Sequence, residues 1–163
     1  MAKAKEITDL SADDSYGEAA ARIVSTRAGE LNEQARGVLD TRDIDRVHDM
    51  RVATRRLRAA LEVFEPCFPR KPYRQAVREV KRIADGLGER RDRDVAIAAL
   101  RGFNDQMPAP DRRGVESLIS RLRDEQTEAN LALAPLVDVG NLSSLNESLE
   151  ELVAATRGRP EDA

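Results

Sequence analysis

The stretch VHDMRVATRRLRAALEVFEP, Val47 to Pro66, decides the fold. At about 100° per residue, Val47, Met50, Thr54, Leu57, Leu61 and Phe64 share one face of a helix. That apolar stripe has to be buried against other elements. His48, Arg51, Arg55 and Arg58 fall within an arc of about 80° on a neighbouring face and extend about 15 Å along the axis. A row of that length suits a linear chain of anions better than one isolated phosphate. Arg56 projects elsewhere. Arg51 and Arg55 are like charges four apart, which weakens a helix by about 0.2–0.5 kcal/mol. The residues four before Arg51, Arg55 and Arg58 are Val47, Arg51 and Thr54, none of them acidic. Only Glu62, four after Arg58, offers a counter-charge on the same helix. The helix does not neutralise its own ladder, so the compensation comes either from a neighbouring helix or from an outside anion.

Helical spacing continues on both sides. From Ser15, apolar residues such as Ala20, Ile23, Val24, Leu31, Val38 and Leu39 mostly recur at three and four. Thr41 or Asp43 caps the ladder helix, and Pro66 stops it. Pro69 and Pro72 bracket a turn. A third helix then carries Tyr73, Ala76, Val77, Val80, Ile83, Ala84 and Leu87 and weakens at the glycines of DGLG, Asp85 to Gly88. A fourth is expected over about 90–103, with Val95, Ile97, Ala98 and Leu100. MPAPD, Met107 to Asp111, is a break. A fifth helix holds Val115, Leu118, Ile119, Leu122, Ala129, Leu133 and Leu136 and bends or ends near Pro135. A short sixth holds Leu142, Leu145, Leu149 and Leu152. No segment alternates as a strand does. The expected fold is all-α, an antiparallel helical bundle of about five to six helices. Residues 1–14 are expected to form a flexible leader, 15–155 the bundle and 156–163 a flexible tail.

Composition agrees with helices: 35% of the 163 residues are charged, 3% are aromatic and tryptophan is absent. A single cysteine, Cys67, excludes an intrachain disulfide and fits a reducing compartment, so a cytoplasmic protein is expected. No apolar run approaches the roughly 18 residues of a membrane span. The formal net charge of −3 argues against an anionic ligand, but the charges are unevenly placed. Residues 42–93 hold 15 Lys+Arg against 9 Asp+Glu, and the remainder holds 12 against 21. Such asymmetry points to a polyanion-binding face. The third helix contributes Arg74, Arg78, Lys81 and Arg82. Running antiparallel to the ladder helix across the proline turn, it would complete a groove. In LGERRDRDV, Arg90, Arg91 and Arg93 alternate with Asp92 and Asp94, which suits internal ion pairs as well as it suits a ligand.

These residues resemble the signatures of the CHAD family, the helical domain named after its histidine. His48, Arg51, Arg55, Arg56, Arg58, Phe64 and Pro66 match the opening signature. Lys81, Leu87, Gly88, Arg91, Asp92 and Asp94 match the second, within VKRIADGLGERRDRDV (Val80 to Val95). The resemblance is specific over about 15–104, by motif position in these two helical segments. It implies an all-helical fold, binding of inorganic polyphosphate through basic side chains, and association with polyphosphate granules. Carried over by position, the contacts are His48, Arg51, Arg55, Arg58 and Lys81, with Arg56 and Arg91 also matching. The family pairs two related helical halves, and residues 105–163 carry no second His/Arg ladder. The resemblance therefore implies a half-domain, two copies of which would rebuild a two-sided site as a homodimer.

Catalytic chemistry finds no foothold. Phosphoryl transfer needs a nucleophile or positioned base and usually metal ligands. The chain has one histidine, no P-loop pattern and no metal-binding string of acids. Cys67 has no activating histidine beside it and suits a small buried apolar role. No enzyme activity, cofactor, metal or membrane partner is expected. Two other functions stay open. A nucleic-acid backbone binder is disfavoured by the scarcity of stacking aromatics and the lack of a helix-turn-helix pattern. A helical adaptor without an anionic ligand would pair its ladder with acidic neighbours.

Overall fold

A computed structural model describes residues 3–8 and 10–157. It contains five helices: α1 (Tyr16–Ala35), α2 (Ile44–Val63), α3 (Arg70–Asp105), α4 (Arg112–Leu133) and α5 (Val139–Arg157). Among the described residues there is no strand. Each helix packs on its sequence neighbour along the first four, and α5 returns to lie against α1 and α3. The chain thus forms the expected antiparallel all-α bundle.

Local chemistry sets most of the boundaries. Ser15 caps α1 in a capping box: its hydroxyl accepts from the Glu18 N–H, and the Glu18 carboxylate accepts from the Ser15 N–H. The Ser15 N–H, and after it the Ser15 hydroxyl, donate to the Glu18 carboxylate and hold that carboxyl below its usual range. After α1, Gly37 takes φ +71° and reverses the chain, a conformation that glycine adopts at no steric cost. Asp43 occupies the cap position of α2, but its carboxylate takes the Arg46 guanidinium at 2.9 Å and makes no cap bond. Glu65–Cys67 forms a short 3-10 turn between α2 and α3, and another at Ala134–Leu136 ends α4 beside Pro135.

The expected third and fourth helices are one helix of 36 residues, about 54 Å long. The glycines of Asp85–Gly88 do not break it. Ile83, Leu87, Arg90, Asp94 and Ile97 continue a single buried stripe across them, and packing outweighs the helix cost of two glycines. Gly86 lets the helices approach: a Cβ there would stand 3.0 Å from Leu136 Cδ1 and 3.3 Å from Leu133 Cδ1. Gly88 meets nothing within 4 Å. Gly88→Ala should therefore raise stability by about 0.5–1 kcal/mol, read as a higher urea midpoint at unchanged slope. Gly86→Ala should gain less or lose.

The core lies where α1, α2, α3 and α5 meet. Val24, Leu31, Val47, Met50, Leu57, Leu61, Val80, Ile83, Leu145, Leu149 and Leu152 form it, joined by Leu133 at the end of α4. The whole expected stripe of α2, from Val47 to Phe64, is buried. Burial thins toward the far end of the α3–α4 hairpin: α3 buries no residue after Ile97, and α4 none before Ile119. The amino-terminal segment is non-helical and lies on α1, where the Lys5 N–H donates to the Glu30 carboxylate and Arg27 donates to the Lys5 carbonyl. Helix α5 continues to Arg157, two residues past the expected end of the bundle, and 158–163 of the expected tail lie outside the described residues.

Candidate functional site

His48, Arg51, Arg55 and Arg58 project from one side of α2 because the opposite side is committed to the core. Together with Val52 they line an open trough of about 390 Å³, whose facing side comes from Ala84 and Asp85 of α3. Arg51 and Arg55 are exposed and make no ion pair among the described residues. Arg58 approaches Glu62 at 3.5 Å, the one counter-charge expected on this helix. Such an exposed i,i+4 pair contributes only about 0.3–0.5 kcal/mol. The Arg58 Nε is buried and donates to nothing among the described residues.

The remaining candidates fall in several places. Lys81 lies one turn before Asp85 on the same side of α3, with Arg78 and Arg74 continuing that row toward the start of the helix. All three are exposed, and none lines the trough. The Arg78 Nε is turned along its own helix, 3.5 Å from the Arg74 carbonyl. Arg82 is exposed, about 100° around the helix from Lys81 but only about 40° from Arg78, so it flanks the row and does not line the trough. Arg56 turns to the other side of α2, where its guanidinium stands 3.9 Å from the buried Glu30 of α1, which also holds Arg27 at 2.9 Å. Arg91 is half-buried and donates to the Ile44 carbonyl at 3.1 Å, tying α3 to the start of α2. Neither Arg56 nor Arg91 joins the trough: each is spent on a neighbouring helix.

Sequence reading missed Asp85, which places a carboxylate against the ladder. Its signal was available, since it stands four residues after Lys81. Helical spacing along α2 and α3 separately does not show that Asp85 sits opposite Arg51 and Arg55, because that depends on the axial offset between the helices. In the second basic cluster, Arg90 and Asp94 form a fully buried ion pair at 3.0 Å. The internal reading of that segment holds for this pair. Among the described residues no group of His, Cys, Asp and Glu is arranged to hold a metal ion. Cys67 is half-buried and packs against the core. No described helix is long and apolar enough to cross a membrane.

Comparison with known families decides the kinship. The family model of the CHAD domain matches residues 22–163. The chain belongs to the CHAD family. The match extends well past the two signatures, through α4 and α5. Among solved structures, the CHAD domain from the plant Ricinus communis superposes with a TM-score of 0.66 at 24% sequence identity. The superposition covers 91% of this chain and 50% of that one, so this chain spans about half the length of the plant CHAD structure. Among curated proteins none matches the chain.

Proposed function

We propose that this CHAD chain is a non-catalytic module that binds inorganic polyphosphate along the α2 trough. One observation carries the reading: Arg51 and Arg55, stacked one turn apart and exposed, have no carboxylate partner among the described residues. Guanidinium–phosphate contacts are charge-assisted and often bidentate, and each is stronger than the Arg58–Glu62 pair that a ligand would displace. The row Arg74, Arg78 and Lys81 extends positive charge along the facing helix. A linear polyanion can span both rows, whereas a single phosphate cannot. Family membership supports the same reading, since polyphosphate binding is associated with CHAD domains in general. The half-length match supports a second element of the proposal, that two copies pair to give a two-sided site.

Displacement of labelled long-chain polyphosphate by unlabelled polyphosphate, DNA, RNA and monophosphate tests the assignment. Polyphosphate should compete best, and affinity should fall steeply with salt as bound counterions are released. Equal displacement by DNA or RNA would move the function to nucleic-acid backbones. Absence of binding to any polyanion leaves the adaptor reading. Light scattering on the same samples should show a dimer; a monomer that binds long polyphosphate with full affinity removes the pairing.

A further inference from the structure

Along one arc of α3, about 60° wide, the chemistry changes abruptly. Beside the bundle that arc holds Arg78, Arg82, Asp85 and Glu89, all exposed. Beyond Arg93 the same arc carries Ala96, Leu100, Phe103 and Met107. The facing helix presents Val115, Leu118 and Leu122 on an arc of similar width. An ion pair fixes both rows on one side of the hairpin: Arg93, seven before Leu100, reaches Glu125, seven after Leu118, at 3.7 Å.

None of these seven apolar side chains is buried. Phe64 and Phe68 lie in the core, whereas Phe103 is 55% exposed and Leu118 39%. One exposed apolar residue is ordinary, but a continuous apolar face is not. From Ala96 to Met107 it runs about 17 Å and is two helices, about 20 Å, wide, roughly 350 Å² in all. A patch of that size on a single chain is often a contact surface.

A second copy of this chain fits the face on three counts. Past the Arg93–Glu125 pair the two arcs carry no charged residue, so an identical face brought up by a two-fold axis meets no like charge. Phe103 stands eighteen residues after Asp85, five full turns, and so lies in line with the wall of the trough, about 27 Å further along α3. A copy seated there stands beside the open trough rather than behind it. This chain also spans half the length of the plant CHAD structure, and one more chain of its size makes up that length.

We infer that two copies pair through this side of the α3–α4 hairpin, with their long helices side by side. The surface stands apart from any ligand; that the paired troughs share one polyphosphate chain rests on the reading above. The face is smaller than the roughly 800 Å² per partner of a standard interface, which makes the pairing weak and dependent on concentration. Light scattering on the full chain from about 5 to 500 µM tests it. The mass should rise from one chain to two across that range, and long-chain polyphosphate should move the rise to at least about tenfold lower concentration. Phe103→Glu/Leu118→Glu should keep its helical circular dichroism, stay monomeric throughout, and bind short polyphosphate within about twofold of wild type. Leu131→Glu, an exposed apolar residue on the other side of α4, should pair as the wild type does. A wild-type chain that is monomeric at about 500 µM, with or without polyphosphate, overturns the inference and leaves trough binding to stand or fall by its own measurement. So does a dimer that survives Phe103→Glu/Leu118→Glu, or one lost equally in Leu131→Glu. A dimer formed through this face that binds no polyanion upholds the surface and removes only the trough reading.

Discussion

Reversing Arg51 and Arg55 together to glutamate is expected to lower affinity for long-chain polyphosphate by at least about a hundredfold. The estimate follows from two charge-assisted contacts of about 1.5–3 kcal/mol each, at about 1.4 kcal/mol per factor of ten. Removing two phosphate contacts should also flatten the dependence of log affinity on log salt by about two. Both side chains are exposed, so the core is untouched. The two introduced glutamates remain like charges four apart, while the second of them gains Arg58 three residues later as a counter-charge. Helicity by circular dichroism should be unchanged. Arg113→Glu, exposed at the start of α4, removes charge outside both basic rows and should cost less than about fivefold. A double variant that keeps wild-type affinity and salt slope removes the trough as the binding site. An Arg113→Glu loss as large as that of the double variant would make binding a matter of net charge.

Asp94→Ala should be the most destabilising single substitution considered, costing about 3–5 kcal/mol. It leaves the Arg90 guanidinium, which has no exposure, without its counter-charge. It also strips the Gln126 side chain of its acceptor at 2.5 Å. Arg90 reaches further, to Asn130 Oδ1, and Asn130 donates in turn to the Leu39 carbonyl at 2.9 Å. The pair is therefore the centre of a network joining α3, α4 and the loop after α1. For a domain whose total stability is about 5–15 kcal/mol, such a loss moves the urea midpoint by a large fraction. Replacing both partners, as Arg90→Met/Asp94→Leu, should cost far less, because no buried charge is stranded. Asp94→Ala unfolding at the wild-type midpoint would show that the pair is not a structural anchor.

The ladder and the buried pair differ in how much of them can be read from the chain. The ladder is local: His48, Arg51, Arg55 and Arg58 lie within eleven consecutive residues on one helix, and 3.6-residue periodicity places them together. The apolar stripe of α2 is legible for the same reason, and all of it is buried. What failed was the division of α3. Two glycines within four residues suggest a helix end, but the neighbours that require Gly86 are Leu133 and Leu136, some fifty positions downstream. Local propensity cannot register a contact made at that distance. The buried pair was half legible, since Asp94 stands four after Arg90. Gln126 and Asn130 come from another helix and were not.

The thinning of burial along the α3–α4 hairpin has a consequence for motion. From Ala98 to Leu118 no residue is buried, so the tip of the hairpin is held by backbone bonds and by one helix lying against the other. Opening this tip exposes little new apolar surface and requires far less free energy than unfolding the bundle. Its backbone amides would exchange with solvent through small local excursions, while those near Val80 and Ile83 wait for global opening.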